Sequence, residues 1–324
     1  MDDRAVGRRV FLGSVVGGAM SLPALARVGL PALAARSARP VRFAVIADLH
    51  HGFAPDALDR LGAFVEAVRA RTADLDFVLQ MGDFCHAGKT PGPCLDLWRT
   101  IDLPKLHVLG NHDMDTCTKA EAMEAWGLAS RYGVHEVGGW RFVTLDLNHI
   151  REGETREDYA NANFYVDAAK RAWADREQLD WLGDVLAEEK PTVVLSHQPL
   201  GLWEPLSEVP PQQKEVLDIL APSGTPAPGL AACMCGHEHV DRVGLYQGVP
   251  CWCVNSASYL WRGGMVPYAQ PLFAFVTLDP AGEMVIEGVE GEWEQQEEDL
   301  PDLPDRPWVR PSIADRTETL AARL

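Results

Sequence analysis

Phe43-Ala44-Val45-Ile46-Ala47-Asp48-Leu49-His50 reads as a short apolar β-strand that ends on a carboxylate and an imidazole. Four later segments repeat the arrangement. Phe77–Met81 precedes Gly82-Asp83, and Leu106–Leu109 precedes Gly110-Asn111-His112-Asp113. Val193–Leu195 precedes Ser196-His197, and Ala231–Met234 precedes Gly236-His237-Glu238-His239. Strands of one sheet that end together deliver their next residues to one edge. That edge then holds two carboxylates, one amide and several imidazoles in a small volume. Carboxylates crowded without a counter-charge repel and protonate. A pair of divalent cations removes that cost, and a mixed nitrogen and oxygen ligand set suits Mn, Fe, Zn or Ni. A solvated or core histidine accounts for any one of these imidazoles. It does not account for coincident strand ends.

Around these segments strand and helix alternate through the first half of the chain. Ala57, Leu58, Leu61, Phe64, Val65 and Val68 recur at helical spacing and predict an amphipathic helix over about residues 55–71. Gln178-Leu179-Asp180-Trp181-Leu182 begins another, with Leu186 continuing its apolar face before a strand at Thr192–Leu195. From Leu230 the pattern turns to successive strands: Ala231–Cys235, Asp241–Tyr246, Val249–Asn255, Leu272–Leu278 and Glu283–Gly288. Pro222–Gly229 is a Pro/Gly-rich loop. The segment 291–324 is acidic and proline-rich. It carries Trp293 and Trp308, so it is expected to wrap the domain rather than hang free.

The order D-x-H, GD, GNH[DE], H, GHxH resembles the calcineurin-like metallophosphoesterase superfamily, and all five motifs stand here in sequence from Asp48 to His239. The resemblance implies an α/β fold: a four-layer α/β/β/α sandwich of two mixed β-sheets flanked by helices, with the metal site at the strand C-terminal ends. It implies one metallophosphoesterase domain over about residues 40–290. It also implies two divalent or trivalent transition-metal ions, Mn, Fe or Zn. Asp48, His50 and His239 match the ligands of the first metal, and Asn111, His197 and His237 those of the second, with Asp83 bridging. His112 matches the catalytic histidine, and Asp113 either orients it or caps the helix that follows. The implied reaction is hydrolysis of a phosphomonoester or small phosphodiester by a metal-activated hydroxide, with protonated His112 as general acid. A cyclic-nucleotide phosphodiesterase is the alternative, and a non-catalytic member that keeps the fold as a binding platform a remote one.

Two departures stand out. Many relatives read GDxx[DN], whose last residue lies near the catalytic histidine; here that place is His86. His86 is therefore expected to face the substrate phosphate, and His112 to rely on Asp113 or a backbone carbonyl. The tyrosine ligand and D-x-G motif of the purple acid phosphatase branch are missing. No Gly-x-Ser-x-Gly elbow and no Gly-x-x-x-x-Gly-Lys-[Ser/Thr] loop occurs, which removes a serine nucleophile and a P-loop. The polar segment from Asn148 to Trp173, with Tyr159, Phe164 and Tyr165, is placed to cover the metal edge. Asn148 and Trp203 join His86 as candidate substrate contacts.

Gly7-Arg8-Arg9-Val10-Phe11-Leu12-Gly13 resembles a twin-arginine export signal. An apolar stretch broken by Pro23 and the Ala32-Leu33-Ala34 cleavage pattern follow, so residues 1–35 read as a signal peptide. The run is too short and interrupted for a membrane anchor. A bacterial or archaeal protein exported to the periplasm or beyond is expected, with the export machinery as its partner. Formal net charge is −18, and residues 1–35 hold a surplus of arginine, so the remainder is more acidic still. Such a surface repels nucleic acid; the partner that the resemblance implies is a small phosphorylated substrate. Seven cysteines leave at least one thiol unpaired within the chain. Cys233/Cys235 and Cys251/Cys253 each share a strand face, so disulfides and buried free thiols both stay open.

Overall fold

The computed structural model describes residues 38–321 apart from 89–90, 203–208 and 297–298. Its strands in chain order are β1 Val41–Ile46, β2 Phe77–Gln80, β3 Lys105–His107, β4 Gly133–Val137, β5 Trp140–Thr144, β6 His149–Glu152, β7 Thr155–Asp158 and β8 Thr192–Leu195. There follow β9 Leu230–Cys235, β10 Arg242–Tyr246, β11 Val249–Cys253, β12 Tyr259–Trp261, β13 Met265–Pro267, β14 Ala274–Asp279, β15 Glu283–Glu287 and β16 Arg316–Thr319. The α-helices are α1 Ala57–Ala70, α2 Gly92–Arg99, α3 Lys119–Trp126, α4 Arg176–Leu186 and α5 Pro211–Leu220.

Two six-stranded sheets result, ordered β16-β15-β14-β1-β2-β3 and β10-β11-β9-β8-β5-β4. Both are mixed. β1, β2 and β3 run parallel, as do β5, β8, β9 and β11, while the outer strands pair antiparallel. The period-2 alternation of a strand explains the layering. Phe43 and Val45 point into a core shared with Phe77, Phe142, Val193 and Trp252 of both sheets. Their neighbours Ala44 and Ile46 point the other way, against Leu61, Phe64, Val65 and Trp98 of α1 and α2. On the far side, Val143 and Val194 meet Leu179 and Leu182 of α4 and Val216 and Leu217 of α5. The order is α/β/β/α, as the motif order implies.

The segment from 291 is part of this body. β16 adds an edge strand to β15, Ile313 is fully buried in the intersheet core, and Trp293 packs 5.4 Å from the Tyr268 ring. The described residues from 291 to 321 thus belong to the same compact unit as those before them. Residues 1–35, the expected signal, lie outside the described residues. Cys233 and Cys251 are register partners on β9 and β11, as are Cys235 and Cys253, and all seven cysteines are buried free thiols.

Candidate binuclear metal site

Three parallel strands of one sheet and two of the other finish at a common edge. β1 leads to Asp48 and His50, β2 to Asp83 and β3 to Asn111, while β8 leads to His197 and β9 to His237 and His239. The backbone bends sharply as it leaves these strands. Asp48, His50, Asp83, His237 and His239 all adopt left-handed conformations, with φ of 51°, 53°, 50°, 73° and 52°. Such strain in non-glycine residues persists only where the surroundings over-determine it, and it clusters at functional sites. The motif glycines permit the close approach. A Cβ on Gly236 would lie 2.6 Å from Asp48 Oδ2, and one on Gly110 would collide with the Asp83 backbone and carboxylate.

Two ligand clusters form. The ligating atoms of Asp48, His50 and His239 lie within 4.8 Å of one another, and so do those of Asp83, His197 and His237. Asp83 stands between them: its Oδ2 is 3.0 Å from His197 Nε2 and 4.0 Å from His50 Nε2. Asn111 points a buried Oδ1 with no hydrogen-bond partner. All seven expected ligands are thus brought to one edge.

The donor set fits cations on its own evidence. His239 Nδ1–H donates to Tyr259 O at 2.7 Å and His197 Nδ1–H to Met81 O at 2.8 Å. Each ring then presents the Nε2 lone pair, an arrangement that commonly orients metal-ligating histidines. His239 Nε2 faces His50 Nε2 at 3.0 Å and Asp48 Oδ1 at 3.3 Å. His197 Nε2 faces His237 Nδ1 at 3.2 Å. Lone pairs aimed at lone pairs and carboxylates repel unless positive charge sits among them. Protons alone distribute it unevenly. Burial pulls His197 down, yet Asp83 and Asp48 outweigh it and push it up to about 10. Burial and the His197 charge drive neighbouring His237 down to about 3. Burial and His239 likewise hold His50 well below its usual range. Metal cations relieve both clusters at once.

His112 sits beside the clusters, its ring centroid 5.3 Å from that of His50. Its Nδ1–H donates to Asp115 Oδ2 at 2.8 Å, which leaves Nε2 free. Burial lowers its pKa, but Asp83 and Asp115 outweigh that and raise it. Asp115 is the residue that sequence reasoning missed. The signal was the His-x-x-Asp spacing, which one helical turn at 112–115 closes. Burial pushes its carboxyl up, but His112 and His86 beside it outweigh that and hold it below the usual range.

Several expectations are corrected by this geometry. Asp113 does not orient His112. Its fully buried carboxylate accepts from the backbone N–H of Phe84, Cys85 and Gly110, stapling the second motif to the third. His86 does not face the open site. It is 5% exposed and packs against Phe53, and its Nε2 lies 3.3 Å from Asp115 Oδ2, within ion-pair reach but off the line of a hydrogen bond. Asn148 is fully buried: Nδ2 donates to Leu109 O and Asp146 Oδ1, and Oδ1 accepts from Gln198, so no group remains for a substrate. Trp203 lies outside the described residues. The segment after Asn148 does reach the site through Tyr165. A cavity of about 470 Å³ opens over the ligands, lined by His50, Asp83, His112, His237 and His239 with Phe53, Tyr165, Tyr259, Trp261 and Met265.

Comparison with known proteins agrees with this fold. The mouse protein "Serine/threonine-protein phosphatase CPPED1" is 30% identical over 208 residues, covering 57% of this chain and 60% of that protein, and its rat counterpart matches equally. The chain thus spans less than two thirds of the length of these curated relatives. A solved dimetal phosphatase from Danio rerio superposes over 78% of this chain and 98% of its own, with a TM-score of 0.57 and 16% identity. Purple acid phosphatase PPD1 from yellow lupin superposes over 78% of this chain and 51% of its own, at 0.50 and 15%. At these identities the two structures share the fold alone. The model of the calcineurin-like phosphoesterase family matches residues 41–241, more than half of the chain, and the chain belongs to that family.

Proposed function

We propose that this protein is a hydrolase of phosphomonoesters or small phosphodiesters that works with two transition-metal ions. The observation that carries the reading is the pair of ligand clusters joined through Asp83, with His112 free at Nε2 beside them. Asp48, His50 and His239 would hold one ion, Asn111, His197 and His237 the other, and Asp83 both. Such ions, when bound, polarise a phosphoryl oxygen and make a water nucleophilic near neutral pH.

The chain's own groups do the rest. Asp115 fixes the His112 tautomer and ring plane, so that Nε2 faces the cavity. As the bond from phosphorus to the leaving oxygen breaks, that oxygen takes the electron pair and His112 Nε2 gives it a proton. The Asp115 carboxylate stabilises the protonated ring before transfer. The staple of Asp113 to Gly110, Phe84 and Cys85 keeps the second and third motifs in register while this happens.

The signal-like N-terminus supports a protein exported in folded form. Replacing Arg8 and Arg9 together by Lys tests this: precursor retained in the cytoplasm is expected, and undisturbed export overturns the twin-arginine reading. For the activity, metal-loaded protein is assayed with aryl monoesters, aryl diesters, cyclic nucleotides and nucleoside diphosphate derivatives. Turnover of the first two that is abolished by a chelator is expected. Turnover of cyclic nucleotides alone would favour the phosphodiesterase reading, and no metal-dependent turnover of any would remove the proposal.

A further inference from the structure

The cavity over the ligands has an unusual wall. Three aromatic residues stand among the large apolar side chains exposed in the described residues: Phe53 at 42%, Tyr165 at 65% and Trp261 at 59%. All three line this one cavity, and so does Met265 at 43%. Leaving four such groups in water forgoes the stability their burial would contribute, so their gathering at one place points to a ligand that covers them. They come from unrelated parts of the chain. Phe53 follows β1, Tyr165 belongs to the segment after β7, and Trp261 and Met265 are register partners on the β12–β13 hairpin. Tyr259, at the base of that hairpin, is buried and lies 5.0 Å from both the His50 and His239 rings, which ties the wall to the first ligand cluster.

The wall also surrounds the proton donor. His112 has Phe53 at 5.4 Å and Tyr165 at 6.3 Å between ring centroids. The group that receives the proton is the leaving group, so the leaving group lies on this wall. Among the described residues that line the cavity there is no Lys and no Arg. The chain carries a formal charge of −18. A leaving group that bears further phosphate or carboxylate finds no positive partner there once the ligands are committed. A ring finds faces and edges at stacking distance and a thioether beside them. The cavity volume of about 470 Å³ suits one small molecule rather than a chain.

We infer that the site selects phosphoesters whose leaving group is an uncharged, ring-bearing alcohol or phenol, held on Phe53, Tyr165, Trp261 and Met265. This rests on the proposed hydrolase reading and specifies its substrate class. In the reaction a water oxygen forms the new bond to phosphorus and the bond to the ring-bearing oxygen breaks. That oxygen keeps the electron pair, takes the His112 proton and departs as the neutral alcohol.

Benzyl phosphate and ethyl phosphate test this, because their alcohols are of similar acidity and differ in the ring. Full-length metal-loaded protein is assayed with each, and benzylphosphonate and ethylphosphonate, which cannot be hydrolysed, are titrated by calorimetry. The benzyl member of each pair is expected to be favoured about tenfold, in KM and in binding, within the usual range for one well-packed ring. Trp261→Ala should bring that ratio close to unity, and Trp261→Phe should keep most of it. Trp261 is exposed on a hairpin, so neither change threatens folding. Equal treatment of benzyl and ethyl members by the native protein, or preference for adenosine triphosphate over both, overturns the inference. A ring preference in calorimetry without turnover of either ester would keep the wall and remove the hydrolase reading instead.

Discussion

Two clusters among the described residues are built from the same residue types, and only one of them is a candidate metal site. At the strand edge, Asp48, Asp83 and four imidazoles face each other with lone pairs opposed and with His50 Nδ1 and Asn111 Oδ1 unpartnered. Behind it, Asp146, His149 and Asp158 also place three ligand atoms within 4.8 Å. There, however, the Lys119 ammonium already stands in the middle. It donates to Asp146 Oδ2 and Asp158 Oδ1 at 2.7 Å each and to Asn148 O at 2.9 Å, with His149 Nε2 at 3.2 Å. His149 completes its set through Trp173 O. Proximity of carboxylate and imidazole is therefore not the mark of a metal site. The mark is charge and lone pairs that the chain itself leaves unanswered. The second cluster supports the first. Asp146 holds Asn148, which in turn holds Leu109 O and Gln198 beside the third and fourth motifs.

Four substitutions separate the two clusters. Asp83→Asn is expected to have the largest effect, a loss of roughly 10⁴-fold in turnover, because an amide cannot serve two cations as a carboxylate does. Steady-state kinetics at saturating metal checks it. His112→Ala should cost about 10²–10⁴-fold, less for nitrophenyl esters than for alkyl esters, since a good leaving group needs less protonation. An equal loss for both ester types would take His112 out of the acid role. Lys119→Met should leave the chemistry largely intact but destabilise the fold by about 3–5 kcal/mol, since it strands the buried Asp146 charge. Denaturant titration reads that loss. The cluster also predicts an acid limit. Burial raises the Asp146 pKa, but Lys119 and His149 outweigh it and hold it low. His149 and Lys119 beside it outweigh burial and hold Asp158 low as well. Their contribution is thus complete above about pH 4, the ordinary carboxylate value, and falls away as pH drops below it. Asp115→Asn should have the smallest effect, on the order of 10–100-fold in kcat with KM little changed, the scale typical of a supporting carboxylate. Adding His86→Asp should restore part of that loss, because His86 and His112 both lie within 3.3 Å of Asp115 Oδ2 and a carboxylate at position 86 returns negative charge to that neighbourhood.

Much of this is legible in the chain. Apolar runs that end on Asp, Asn or His locate β1, β2, β3, β8 and β9, and the ligands follow because residues at parallel strand ends share an edge. The helix expected over 55–71 is α1. What escapes has physical reasons. Asp113 and Asp115 are equally polar in sequence, and only the tight turn at 112–114 decides which carboxylate returns to the His112 ring. The loop bend that sends Asp113 inward gives it three backbone amides instead. A histidine near a phosphate site is chemically plausible, so His86 reads as facing outward; the Phe53 ring closes it off. Asn148 reads as a loop residue, whereas the β6–β7 hairpin and Lys119 bury it. The segment after 290 is expected to wrap the domain, as Trp293 does, but its strand is not read from the sequence. Its strand β16 alternates half-buried and exposed residues, a weak pattern that only pairing with β15 makes a strand.

The most direct test of the distinction between the clusters is a metal count on purified full-length protein and on two variants. Elemental analysis is expected to give about two transition-metal ions per chain for the native protein and for Lys119→Met, and a clear deficit for Asp83→Asn. A full complement in Asp83→Asn, a third ion in the native protein, or an active native preparation free of metal would contradict the account.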